Sequence, residues 1–143
     1  DDRLDIALAV NADGAHLGQD DLPLGEAKKI AFAARGGRED FIIGYSTHSV
    51  KQALEAAAAG AGYISVGPVF TTPTKPLNPL GTGVITEIKK HVKIPVVAIG
   101  GINAENIAGV MAAGADAAAV IRAGCGAENV REAVAELKRK AGQ

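Results

Sequence analysis

The chain has 143 residues and a formal net charge of −1 with no basic block, which argues against a nucleic-acid surface. Hydrophobic residues make up 48 %, yet there are only three Phe, two Tyr and no Trp. The core is therefore drawn from Ala, Val, Ile and Leu, as suits helices packed closely on a parallel sheet, and base-stacking platforms are excluded. The single Cys125 rules out an internal disulfide framework, and no apolar run is long enough to span a bilayer, so one soluble cytoplasmic domain over 1–143 is expected.

Residues 1–10 read as the loop and helix that follow a strand, with Asp1 and Asp2 in the loop. A tight turn at Asn11 then leads into a short strand, Ala15–Leu17, ending at Gly18-Gln19-Asp20-Asp21. Leu24–Ala34 has helical apolar spacing with lysines on its other face. Phe41–Tyr45 reads as a strand followed by Ser46-Thr47-His48-Ser49, and Ser49 can cap an Ala-rich helix over Val50–Ala59. Tyr63–Val66 is a buried strand that opens into Gly67-Pro68-Val69-Phe70-Thr71-Thr72-Pro73-Thr74-Lys75. Gly83–Val92 is an amphipathic helix and Pro95–Ile99 a strand ending in Gly100-Gly101. Asn103 is a candidate cap for a helix to Ala113, with an acidic residue in its first turn. Ala117–Ile121 is the last strand, followed by Arg122, and Glu128–Lys140 closes the chain with cations in its last turns.

A repeated Ala-Gly/Asn junction of helix, tight turn and buried strand occurs around Ala12, Ala61 and Ala115. Strands alternating with helices imply a parallel sheet with right-handed crossovers, five strands and about five full helices. In such folds ligands gather at the C-terminal ends of the strands, and all five ends here are polar or glycine-rich.

The loop over 67–75 supplies hydroxyls that donate to an anion and an ammonium that attracts it, beside prolines that stiffen it; an ordinary solvated turn is the alternative. Gly100-Gly101 before a helix start lets backbone approach a phosphate. Asp2 and Asp21 are candidate magnesium carboxylates, since two carboxylates plus substrate phosphate oxygens and water commonly hold that ion; Asp21 could equally cap the helix after Pro23. His16 reads as a hydrogen-bonded interior residue. His48 either orients substrate or polarises a helix start, and His91 is a helix-end charge. No nucleophilic triad is present, so the chemistry indicated is electrostatic handling of phosphates.

Taken in order, the stretches 12–21, 44–49, 67–75 and 95–102 resemble those of thiamine-phosphate synthases (thiamine-phosphate pyrophosphorylases) over essentially the whole chain. The resemblance implies a TIM (β/α)8 barrel of which this chain supplies strands four to eight. The first three strands are absent from it, so a further segment or a second copy is expected to close the sheet. It also implies a transferase that joins hydroxymethylpyrimidine diphosphate to a thiazole phosphate, releases pyrophosphate and uses Mg²⁺. By position, Asp2 and Asp21 match the metal carboxylates, and Ser46 and Lys75 match contacts to the diphosphate, both with a catalytic part. Asp1 matches a substrate contact; Thr72, Pro73 and Thr74 match the loop on the thiazole substrate. Gly101, Ile121 and Arg122 match the thiazole phosphate cradle.

Asp1 and Arg122 stand where the family commonly has Asn and Ser. An arginine at that point either adds a cation to the phosphate site or fills it. The related thiazole tautomerases carry a proton-shuttling His where this chain has Pro68, which favours the synthase. A non-catalytic phosphate-binding module is the rival from another class, and it has no use for Asp2 and Asp21.

Overall fold

The computed structural model describes residues 1–73 and 77–143. Five strands form one parallel sheet: β1 (Gly14–Leu17), β2 (Ile42–Thr47), β3 (Tyr63–Val66), β4 (Val96–Ile99) and β5 (Ala117–Ala119). Between and around them lie α1 (Leu4–Ala9), α2 (Leu24–Ala34), α3 (Val50–Ala58), α4 (Gly83–His91), α5 (Ile107–Ala112) and α6 (Val130–Lys140). The spatial order β1-β2-β3-β4-β5 follows the sequence, so each crossover steps to the next strand on the same side. Right-handed crossovers that all step one way place every connecting helix on one face, as in a barrel wall and unlike a doubly wound sheet.

Three helix-to-strand junctions share one device. Asn11, Gly60 and Gly114 each adopt the left-handed conformation, with φ of 55°, 85° and 101°. After the first two, the amides of Ala12 and Ala61 reach back to the carbonyls of Ala7 and Ala56 at 2.9 and 3.0 Å, a Schellman closure that ends the helix and aims the chain into the sheet. Ser49 caps α3 by accepting from the Gln52 amide.

The helix-facing side of the sheet carries Leu17, Ile43, Ile64, Val66, Val96 and Ala98, all buried. They meet Ala27 of α2, Ala53 and Ala56 of α3, Ile85 and Ile88 of α4 and Val110 of α5 in one cluster. Small alanines on α2 and α3 let those helices approach the sheet closely, consistent with a core almost free of aromatics.

Most boundaries lie within two residues of expectation; three that bear on the site differ in ways the structure explains. β2 starts at Ile42 and runs through Ser46 and Thr47, which pair with Ser65 and Val66, so Ser46 lies on the strand and not beyond it. β5 stops at Ala119, because the amides of Gly124 and Gly126 fold back onto the Ile121 carbonyl at 3.2 Å and turn the chain. α5 starts at Ile107, not at Asn103: the Asn103 side chain accepts from the amides of Glu105 and Asn106, and Asn106 Oδ1 accepts from the Asn103 amide. These reciprocal bonds hold 103–106 as a turn. Among the described residues no helix is long and apolar enough to cross a membrane.

Candidate functional site

The other side of the sheet is polar and open. Alternation along β1, β2 and β3 sends His16, Ser46, Tyr63 and Ser65 away from the helices into a cavity of about 1420 Å³ at the C-terminal strand ends. His16 sits between two hydroxyls, with Nε2 2.9 Å from Ser46 Oγ and Nδ1 2.9 Å from the Tyr63 hydroxyl. Ser46 Oγ lies 3.3 Å from Ser65 Oγ. Gly44 makes this arrangement possible, since a Cβ there would occupy the Tyr63 ring. Burial pushes the Tyr63 phenol above its ordinary pKa. Thr47, fully buried at the strand end, donates to the Ser65 carbonyl at 2.8 Å.

At the β1 edge, Asp1, Asp2, Asp20 and Asp21 line the cavity mouth. Asp21 does not cap α2: Pro23 holds the cap position with no side-chain bond, while Asp21 Oδ2 accepts the Gly18 amide at 2.6 Å. That bond folds the 18–21 loop so that the carboxylate faces the cavity. Asp2 is held in the left-handed region, φ 66°, and its amide donates to the His16 carbonyl at 2.9 Å. The loop carrying it thus runs alongside β1. Gln19 crosses the mouth to donate to the Ser46 carbonyl at 2.6 Å.

The loops after β3 and β4 interlock by backbone. Val69 and Phe70 donate to the carbonyls of Ile99 and Gly100 at 2.9 and 3.0 Å. A Cβ on Gly100 would lie 2.5 Å from Pro68 Cα, and one on Gly101 2.6 Å from the Thr71 carbonyl oxygen. The two glycines therefore bring the second loop against the first, so the close approach they permit is to the β3 loop. They stand well ahead of α5, however, so the helix start does not adjoin them. His48 donates from Nδ1 to the Gly67 carbonyl at 2.6 Å and pins the start of the β3 loop.

Every sequence-predicted site residue that the structure describes lines this one cavity: Asp1, Asp2, Asp21, Ser46, Thr72, Pro73, Gly101, Ile121 and Arg122. Thr74 and Lys75 lie outside the described residues. The sequence reading missed Tyr63 and Ser65 as cavity residues. Their alternation with Ile64 and Val66 carried the signal, because a strand buried on both faces would not place hydroxyls at every second position. Gln19 and His48 also join the wall.

Among the described residues no three His, Cys, Asp or Glu side chains are placed to hold a metal ion by themselves. Asp2 and Asp21 both line the cavity, a donor set suited to an ion that takes its remaining ligands from a bound phosphate and water. By themselves, four carboxylates lining the cavity would repel a diphosphate.

Fold and cavity together define a parallel α/β protein whose candidate site lies at the C-terminal strand ends. A family model described as thiamine monophosphate synthase matches residues 1–123. The thiamine-phosphate synthase of Chloroflexus aurantiacus is 46 % identical over 139 residues, covering 96 % of this chain and 61 % of the relative. That of Pyrococcus horikoshii is 48 % identical over 140 residues, covering 97 % and 64 %. The solved thiamine phosphate pyrophosphorylase from Pyrococcus furiosus aligns with a TM-score of 0.86 at 45 % identity, over 99 % of this chain and 65 % of that one. A 3-hexulose-6-phosphate synthase, at 23 % identity and a TM-score of 0.71, shares the fold alone. The chain belongs to the thiamine monophosphate synthase family, and it spans less than two thirds of the length of these relatives.

Proposed function

We propose that this chain carries most of the active site of a thiamine-phosphate synthase, with its five strands standing for the fourth to eighth of a (β/α)8 barrel. One observation carries the reading. The ends of five successive strands deliver carboxylates, hydroxyls, paired glycines and an arginine to a single cavity in a chain 45–48 % identical to synthases. The substrates are then small phosphates: a pyrimidine methyl diphosphate at the β1–β3 side and a thiazole phosphate at the β4–β5 side.

The reaction breaks the bond between the pyrimidine methylene carbon and the diphosphate oxygen, which keeps the electron pair. The thiazole nitrogen lone pair then forms the new carbon–nitrogen bond. Charge builds on the departing diphosphate, so stabilisation belongs there. Asp2 and Asp21 would hold Mg²⁺, which supplies positive charge to the diphosphate oxygens. Ser46 donates a hydrogen bond to the same group, and Lys75, assigned by sequence position alone, adds an ammonium. Gly101 and Ile121 offer backbone to the thiazole phosphate, and Arg122 at the far edge of the sheet adds a cation to it. Thr72 and Pro73 contact the thiazole, Thr74 joins them by sequence position alone, and Asp1 flanks the pyrimidine.

The test is isothermal titration of Mg²⁺ with pyrophosphate, alongside product formation from the two substrates. Asp21→Ala is expected to weaken Mg²⁺-dependent pyrophosphate binding by at least about tenfold, since even partners one shell removed from a metal contribute that much. Tight binding that the substitution leaves unchanged overturns the reading.

A further inference from the structure

His16 is the junction of the cavity wall. Its carbonyl accepts the Asp2 amide at 2.9 Å, and its ring bridges Tyr63 and Ser46 at 2.9 Å on each side. An imidazole between two hydroxyls has two neutral tautomers, and they present opposite chemistry to the cavity. With the proton on Nδ1, the ring donates to Tyr63 and Nε2 accepts a hydrogen bond from Ser46 at 2.9 Å, the nearer of the two hydroxyls it faces, Ser65 Oγ lying at 3.5 Å. Ser46 then shows only lone pairs to the cavity and repels an anion. With the proton on Nε2, Tyr63 donates to Nδ1 and the ring donates to Ser46 Oγ. The Ser46 proton is released for a partner in the cavity.

We propose that His16 is a positioning residue, held by Tyr63 in its Nε2-protonated tautomer so that the Ser46 hydroxyl is aimed as a donor at a phosphoryl oxygen. The choice of ligand rests on the synthase reading above; the tautomer does not. The geometry supports the contact: Gly44 clears the space that lets the Tyr63 hydroxyl reach the ring, where it can donate to Nδ1. Ser65, 3.3 Å from Ser46, gives the released proton a resting partner when no anion is bound.

Nitrogen-15 NMR of the imidazole reads the tautomer directly in the chain without ligand. The Nε2-protonated form is expected, with Tyr63→Phe shifting the population toward Nδ1 protonation. A resting Nδ1-protonated ring overturns the proposal whether or not pyrophosphate binds. Titration of Mg²⁺-pyrophosphate supplies the second arm. His16→Phe and Ser46→Ala should each weaken binding by about tenfold, as loss of one hydrogen bond to a charged group does. The double variant should be no weaker than either single one, because both remove the same donor. His16→Gln, which keeps an N–H near the Nε2 position, should restore most of the affinity. Additive losses, or no rescue by glutamine in a variant whose fold is intact, overturn the positioning role. A wild-type chain that shows the Nε2 tautomer but binds no pyrophosphate refutes the synthase reading and leaves the ring assignment standing.

Discussion

The two faces of the same sheet obey opposite rules, although their residues alternate along single strands. In β3, Ile64 and Val66 are wholly buried under helices, while Ser65 between them turns to the cavity. The helix side is aliphatic and is satisfied by volume alone. The cavity side is a hydrogen-bonded set of His16, Ser46, Tyr63 and Ser65, in which each group depends on the direction of its neighbour. Stability is therefore concentrated on one face and ligand chemistry on the other, one residue apart.

The sharpest way to break this contrast is to truncate adjacent residues. Ile64→Ala removes a fully buried side chain beneath the helices and is expected to cost about 2–5 kcal/mol in thermal or urea unfolding. Ser65→Ala, its neighbour, loses hydroxyl contacts to Ser46 Oγ at 3.3 Å and His16 Nε2 at 3.5 Å and should cost about 1 kcal/mol. Equal losses at the two positions would erase the division between the faces.

A second pair separates glycines that the cavity loops require from those they do not. Gly100 has φ 101°, and a Cβ there would press on Pro68 at 2.5 Å and on the Val69 amide nitrogen at 3.1 Å. Gly100→Ala should therefore cost about 1–3 kcal/mol in stability and loosen the interlocked loops. Gly109 lies in α5, and a methyl group added there would meet nothing within 4 Å, so Gly109→Ala should stabilise by about 0.5–1 kcal/mol. The same denaturation series checks both, and a neutral Gly100→Ala would show that the loop contact is dispensable.

The same contrast explains what could be read from the chain alone. Helix and strand positions were legible because the aliphatic face is written in simple periodicity: Leu24–Ala34 and Tyr63–Val66 stand where the pattern puts them. The junctions were legible because a left-handed turn asks for Gly or Asn, and Asn11, Gly60 and Gly114 supply it. What could not be read is set by tertiary pairing. Ser46 looked like a loop residue, but Ser65 across the ladder draws it into β2. Asn103 looked like a helix cap, but its exchange of bonds with Asn106 makes a separate turn. Asp21 offered two roles, and only the Gly18 amide, brought round by the loop, selects between them. On the cavity side, Tyr63 passed as one more apolar strand residue, because its hydroxyl acquires meaning only beside His16.

The smallest effect expected concerns how the far edge of the sheet is fastened. Asp116 stands just before β5. Partial burial opposes its charge, but Lys89 at 2.8 Å and the Val96 amide at 2.7 Å outweigh that and hold its carboxyl below the ordinary 3.8. A carboxylate with a lowered folded-state pKa binds fewer protons than its unfolded counterpart in that acid range. Stability from this contact is therefore present above the ordinary value and is lost as pH falls through the folded one. Asp5, lowered to about 2 mainly by its hydrogen bonds with Arg3, and Asp40 and Glu87, also lowered, contribute acid slopes of the same sign, so the whole-chain curve cannot isolate Asp116. The difference between wild type and Asp116→Asn can. Asparagine keeps an oxygen for the Val96 amide and loses the charge that Lys89 answers. The variant should melt below wild type at neutral pH, and the gap should close as pH drops below the ordinary carboxylate range. A gap that stays constant with pH would mean that the edge is held by shape, as the helix-facing core is, and not by this ion pair.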